Sequence, residues 1–321
     1  MARARAPPRS RATNTRPRTA DPHARKDARV LNPALSPLPY TVTHYLPWAA
    51  LCLASLLLWW PRLRTPSLAL LALAGIAATL HGQLDARAAI ALALLALAGW
   101  LIAPARARAW RIAGHALFVV VGLALGLHLA PGFHNLLAIP PTRLTPDAAE
   151  FSMYLNLDKP LVGFWLLLVW GGAQRERPPG DWFKAALPAW LGTAALCLGL
   201  AFALGQIAWA PKWPTWGWLW AVNNLLLVTL AEEALFRGYL QEGLMRRWRE
   251  RRWGDAAAIA VAALAFGLVH FAGGWLSASL AALAGIGYGL AYRRGGLQAA
   301  MLTHFGLNLL HFTAFTYPVL A

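Results

Sequence analysis

Glu232, Glu233 and Arg237 stand together in an otherwise apolar run, Leu225–Leu240. Two further apolar runs carry His270, and the pair His304 and Asn308. Residues four apart share one face of a helix. Glu233 and Arg237 are therefore placed to form an ion pair, and His304 and Asn308 point the same way. Glu232 lies about 100° round the helix from Glu233, where Arg237 reaches it less well. It is the freer carboxylate, and burial beside a like charge suits it to take up a proton as a general base. Phe266, four before His270, shares its face and would wall the site. The set offers a carboxylate base, two imidazoles and a carboxamide. Hydrolysis of an amide by water uses those groups: a base takes the water proton, donors hold the oxyanion, and an acid protonates the leaving amine.

Taken singly, each group has a plainer reading. The glutamates and Arg237 could form a helix-end ion pair near a basic loop. His270 could be a packing or interfacial histidine, and His304 with Asn308 an interhelical hydrogen-bond pair. Together they say more, because three separate helices each bring uncommon polar groups into lipid. A charge at the bilayer centre costs at least about 2.5–3.5 kcal/mol. Zinc is the main mechanistic rival. Glu232, His270 and His304 are suitable ligand types and would leave a water position open. No His-Glu-x-x-His signature is present, and the expectation is no cofactor.

The elements that must carry these residues are membrane helices. Of the 321 residues, 58% are hydrophobic and only 13% charged, and the mean hydropathy is +0.46. Soluble domains sit nearer 45–50% apolar, with about a quarter charged. The Leu- and Ala-rich runs lack the alternation of barrel strands. They are Tyr45–Trp60, Ser67–Leu80, Ala88–Ala103, Ile112–Ala130, Pro160–Gly172, Ala185–Trp209, Trp216–Leu240, Ala256–Phe271, Trp275–Tyr292 and Leu297–Val319. The reading is an all-α, polytopic transmembrane bundle of about 8–10 helices. The connection Pro131–Lys159 is the longest, and is expected at the interface. Three parts are expected: an Arg/Pro-rich disordered tail (1–40), accessory transmembrane helices (41–159) and a peptidase domain (160–321).

The net charge of +16 sits in the tail and in alternate loops. These include Arg62/Arg64, Arg106/Arg108/Arg111, Arg175/Arg177/Lys184, Arg246–Arg252 and Arg293/Arg294. That pattern is a positive-inside bias with membrane lipids as partners, and excludes nucleic acid as the expected partner. It makes the odd-numbered loops cytoplasmic. It also puts the arginine-rich tail outside, against the same rule. The glutamates are expected nearer the Arg246–Arg252 loop, with substrate arriving from the cytoplasm or sideways through the bilayer. Cys52 and Cys197 show neither metal spacing nor a disulfide framework. His311 shares a face with His304 and is a candidate for a supporting role, whereas His81, His115, His128 and His134 are read as interfacial. The many tryptophans, Trp60, Trp213 and Trp218 among them, read as headgroup belts. Gly285, Gly287 and Gly289 read as a close helix contact.

Glu232-Glu233-x-x-x-Arg237, Phe266-x-x-x-His270 and His304-x-x-x-Asn308 resemble, in order, the three motifs of the CPBP family. This is the family of CAAX proteases and bacteriocin-processing enzymes, also called the ABI family of glutamic intramembrane endopeptidases. The resemblance covers about Pro160–Val319. It implies that Glu232 activates water with His270, that His304 and Asn308 stabilise the oxyanion, and that Glu233 and Arg237 support them, without a metal. It implies a protein or peptide substrate. The Ala/Leu/Arg-heavy composition points to a bacterial inner membrane. There a leader peptide, a sorting tail or a membrane-anchored protein is a more natural substrate than a prenylated one. The alternative is a non-enzymatic transporter or scaffold with a buried polar network. The absence of an internal repeat counts against a transporter.

Overall fold

The computed structural model describes residues 41–170 and 181–321. The expected tail 1–40 and the Arg175/Arg177 loop lie outside the described residues. Among those described there are nine helices, in keeping with the rule that backbone polar groups in lipid must be paired within the segment. They are α1 (Leu46–Leu57), α2 (Arg64–Leu80), α3 (Ala88–Leu101), α4 (Arg108–Gly126) and α5 (Lys159–Trp165, prolonged by a π turn, Leu166–Trp170). Then come α6 (Asp181–Ala203), α7 (Gly217–Arg247), α8 (Gly254–Val269) and α9 (Gly274–Ala314). Five helical stretches are long and apolar enough to cross a membrane: Pro61–Leu80, Arg108–Gly126, Asp181–Ala203, Gly217–Arg247 and Phe271–Ala314. The protein is a polytopic helical bundle, embedded in the membrane.

The helix α9 is continuous in its hydrogen bonding but not in its direction. Gly296 adopts φ 75°, ψ −164°, a backbone conformation open to glycine and strained for other residues. The Tyr288 ring stacks on that of His304 with centroids 4.5 Å apart. A straight helix would separate them by about 24 Å. The chain therefore reverses at Gly296, and segments 274–295 and 297–314 lie side by side, matching the two apolar runs expected there.

The helices run between two distinct ends. At one end the backbone of several loops is knitted together. Asp85 N–H donates to Gly132 O at 3.0 Å, Ala149 N–H to Val319 O at 2.9 Å and Ala210 N–H to Ala314 O at 2.9 Å. Arg87 and His134 flank Asp85 and hold its carboxyl well below the usual carboxylate range. This end also carries a two-stranded antiparallel hairpin, β1 (Leu136–Thr142) and β2 (Phe151–Leu155). The reading of Pro131–Lys159 as a connection gave no strand there. The pairing is irregular between Leu137 and Ile139 and again between Ile139 and Thr142. Pro140 and Pro141 lack the donor a regular ladder needs, which hides the strand from its sequence pattern. The opposite end carries the arginine loops, and Arg293 Nε donates to Asp255 Oδ2 at 2.7 Å, tying the Gly296 reversal to the start of α8.

Tryptophans mark both ends. Trp60, Trp100, Trp110 and Trp253 at the arginine end, and Trp209, Trp213, Trp218 and Trp275 at the hairpin end, are all more than half exposed. Their exposure near the two ends is where headgroup belts would be expected of a membrane protein. Trp48, Trp165 and Trp220 pack in the core instead.

The glycines of α9 allow the close contact expected of them. A Cβ on Gly285 would stand 3.0 Å from Ala263 Cα, and one on Gly289 would stand 2.8 Å from Gln241 Oε1. Arg237 Nη2 donates to Gly285 O at 3.2 Å and Gln241 Nε2 to Gly289 O at 3.0 Å. These two rungs bind α7 to α9.

Candidate active site

The two glutamates sit in an α-helical turn, Thr229–Glu233, between π turns at Asn224–Val228 and Ala234–Gln241. π turns inside α-helices occur frequently at functional sites. Glu233 and Arg237 are fully buried and paired, with Nη1 at 3.1 Å from Oε1. Arg237 also lies over the Phe266 and Tyr288 rings, 4.6 and 5.1 Å from their centroids. Cation–π contact and the Gly285 carbonyl thus share the burden of holding a guanidinium inside the bundle.

His304 joins the two carboxylates. Its Nδ1 lies 2.8 Å from Glu233 Oε1. A carboxylate only accepts, so Nδ1 carries the proton of that bond. Its Nε2 faces Glu232 Oε2 at 3.8 Å. Asn308, one turn further along, donates from Nδ2 to Asn224 Oδ1 at 3.2 Å. His270 closes the C-terminal end of α8. Its Nδ1 is 2.8 Å from Phe266 O, which likewise requires a proton on Nδ1 and leaves Nε2 to the cavity. The Phe266 ring walls the site as expected, with its centroid 4.5 Å from that of His270 and 5.7 Å from that of His304.

Arg237 pairs with Glu233 and leaves Glu232 the freer of the two with respect to it, as helix geometry predicted, but Glu232 has a partner of its own. The Lys159 ammonium pairs with its Oε1. Lys159 is the first residue of α5, far upstream in sequence. Gly163, one turn on, lets α5 cross α7 closely, since a Cβ there would lie 3.2 Å from Ala231 Cα. The start of α5 is itself fixed from the hairpin end. Asp158 is buried, accepts from the Lys159 N–H at 2.9 Å, and meets Asn135 Nδ2 at 3.2 Å and His128 Nδ1 at 2.9 Å.

Two cavities meet at His270. One of about 110 Å³ is lined by Lys159, Glu232 and His270 with Gly122, Leu123 and Gly126 of α4 and Leu127 just beyond its end. The other, about 350 Å³, takes in His270, His304, Asn308 and His311 together with Gln206 and Val319 from the hairpin-end loops. His311 thus shares a cavity with His304. The structure brings Glu232, Glu233, His270, His304, Asn308, Arg237 and Phe266 into one neighbourhood. Sequence reasoning missed Lys159, Asn224 and Tyr288. Asn224 was open to the argument used for the glutamates, being an amide in an apolar helix. Among the described residues no three His, Cys, Asp or Glu side chains are grouped to hold a metal ion.

The expected position of the site needs correcting. Glu232 lies midway along α7, but its partners do not lie toward the Arg246–Arg252 loop. Lys159 and His270 are both at helix ends on the hairpin side. The reasoning that placed the glutamates near the arginines considered α7 alone.

Residues 213–310 match a family model described as type II CAAX prenyl endopeptidase Rce1-like. This segment belongs to the CPBP family. The match spans less than half of the chain, and includes all three motifs but neither α4 nor Lys159. No curated protein and no solved structure matches the chain at a significant level. Over residues 213–310 the chain is similar to a family of membrane proteases that act on protein.

Proposed function

We propose that the CPBP segment is a glutamic intramembrane endopeptidase, acting in a bacterial inner membrane on a membrane-associated protein or one bearing a leader or sorting signal. The observation that carries this reading is the convergence of Glu232, His270, His304 and Asn308 on adjoining cavities within an apolar bundle. A water held between Glu232 Oε2 and His270 Nε2 attacks the scissile carbonyl carbon and gives its proton to Glu232. Asn308 Nδ2 and, when it carries its second proton, His304 Nε2 donate to the oxyanion. Glu232 then passes the proton to the leaving nitrogen as the C–N bond breaks, releasing a carboxylic acid and an amine. The test is terminal-peptide mass spectrometry on cells making the wild type or an equally expressed Glu232→Ala variant. A processed terminus lost in the variant supports the reading, and unchanged termini across a deep proteome would sink it.

Three further outcomes follow from the assigned roles. Asn308→Ala removes an oxyanion donor and should lower kcat by about 10²–10³-fold with KM little changed; a change confined to KM would assign Asn308 to substrate binding instead. Lys159 is proposed as a positioning residue that holds Oε1 of Glu232 and keeps Oε2 turned to the water. Charge-assisted hydrogen bonds contribute about 1.5–3 kcal/mol, so Lys159→Met should lose roughly ten- to hundred-fold in kcat and Lys159→Arg should regain part of it. Equal losses in both variants, with equal loss of thermal stability, would make Lys159 merely structural. No metal is proposed, because the Lys159 ammonium lies against Glu232 and Glu233 takes Nδ1 of His304. Activity should therefore survive exhaustive chelation, and loss restored by added zinc would overturn this.

A further inference from the structure

We infer that the catalytic centre faces the outer side of the membrane, and that its substrate is the anchoring segment of a translocated protein where that segment leaves the bilayer. This deepens the peptidase reading and rests on it. Three observations point the same way. First, the two ends of the bundle differ in charge. Basic residues crowd the arginine end, at 106–111, 246–252 and 293–294, whereas at the hairpin end Arg87, Arg143, Lys159 and Lys212 are balanced by Asp85, Asp147, Glu150 and Asp158. Basic short loops stay in the cytoplasm, so the hairpin end lies outside. The eight Arg and one Lys of the tail 1–40 precede α1 in sequence and count against this by the same rule, but the arginine-end loops outnumber them.

Second, the reactive groups are gathered toward the hairpin end. His270 terminates α8 there, close in sequence to Trp275 of the outer tryptophan belt, which is 71% exposed. Lys159 begins α5 there. The larger cavity is bordered by Gln206, Ile207, Pro318 and Val319, all from loops of that end. A tail presented at the arginine face would have to pass about half the length of α7 to reach Glu232, and neither cavity is lined by a residue of the arginine-end loops. Third, the smaller cavity has a lipid-facing rim. Leu123 of α4 and Leu127 just beyond its end line it and are 37% and 47% exposed. An added Cβ on Gly126, between them, would meet nothing within 4 Å. An apolar helix can lie against that rim from the side, with its outer end passing His270 into the larger, more polar cavity. The cut then falls at the outer boundary of the anchor.

The full-length chain tests this in two independent arms. Glu150→Cys at the hairpin end and Arg249→Cys at the arginine end are exposed positions outside the site. Each is treated in intact spheroplasts with a membrane-impermeant maleimide, with the unsubstituted chain, which has Cys52 and Cys197, as the blank. Labelling of Glu150→Cys above the blank, with Arg249→Cys labelled only after lysis, is expected. The reverse pattern overturns the inference, whatever the protein catalyses. In the second arm, termini dependent on Glu232 are mapped by mass spectrometry. Cuts at the outer boundary of membrane anchors support the inference, and cuts in cytoplasmic tails overturn it. If no terminus depends on Glu232, the peptidase reading and this substrate both fall, while the labelling still tells which way the cavity opens.

Discussion

Glu232→Gln should leave a folded, membrane-inserted protein whose turnover is about 10³–10⁴-fold below wild type, the upper range for removal of a general base. Glutamine keeps the shape and still accepts from Lys159, so packing is spared, but it cannot take a proton from water. Glu233→Gln should behave differently. Glu233 is sealed between Arg237 and His304, and its neutralisation strands a buried guanidinium, so stability and turnover should fall together. Measuring kcat and the thermal midpoint of both variants in the same bilayer mimic separates the two glutamates. If Glu233→Gln loses turnover at full stability while Glu232→Gln remains active, the roles must be exchanged.

Arg237→Met should destabilise the bundle by about 3–5 kcal/mol, the usual consequence of leaving one partner of a buried ion pair alone. The guanidinium touches four elements of the site at once: the Glu233 carboxylate, the Gly285 carbonyl and the rings of Phe266 and Tyr288. Its loss therefore loosens the α7–α9 seam as well as the charge balance. The double variant Glu233→Gln/Arg237→Met removes both charges and should recover part of the loss. Denaturant unfolding of the four proteins in this cycle gives the coupling directly. A single-variant loss under about 1 kcal/mol would show that the pair is not what holds the seam.

How much of this was legible in the sequence depended on how local the cause was. The Glu233–Arg237 pair and the common face of His304 and Asn308 follow from helical periodicity, and Phe266 walling His270 follows from the same spacing. Helix existence followed from the apolar runs, and the reversal at Gly296 from the break between two of them. What escaped reading depends on contacts between distant segments. Nothing near Glu232 announces Lys159, which arrives because Gly163 permits a close crossing. Asn224 meets Asn308 only through the fold. The bulged strand around Pro140 and Pro141 gave no alternation to read. The glutamates lie midway along α7 rather than near its arginine end, and the end at which their partners gather escaped reading because one helix does not locate a site that four helices build.

The reversal at Gly296 also fixes a parity. Because 274–314 runs out and back, each helix in the bundle is answered by one in the opposite sense, and residues 41 and 321 come to the same end. That end is the one where Ala321 N–H bonds Asp147 O at 2.9 Å. A compartment-sensitive reporter enzyme fused after Ala321 would therefore sense the same aqueous space that the larger cavity opens on, and a single fusion would serve as a beacon for where the chemistry happens. Any substitution at residue 296 that straightened the turn would break that parity and carry His304 and Asn308 away from the glutamates.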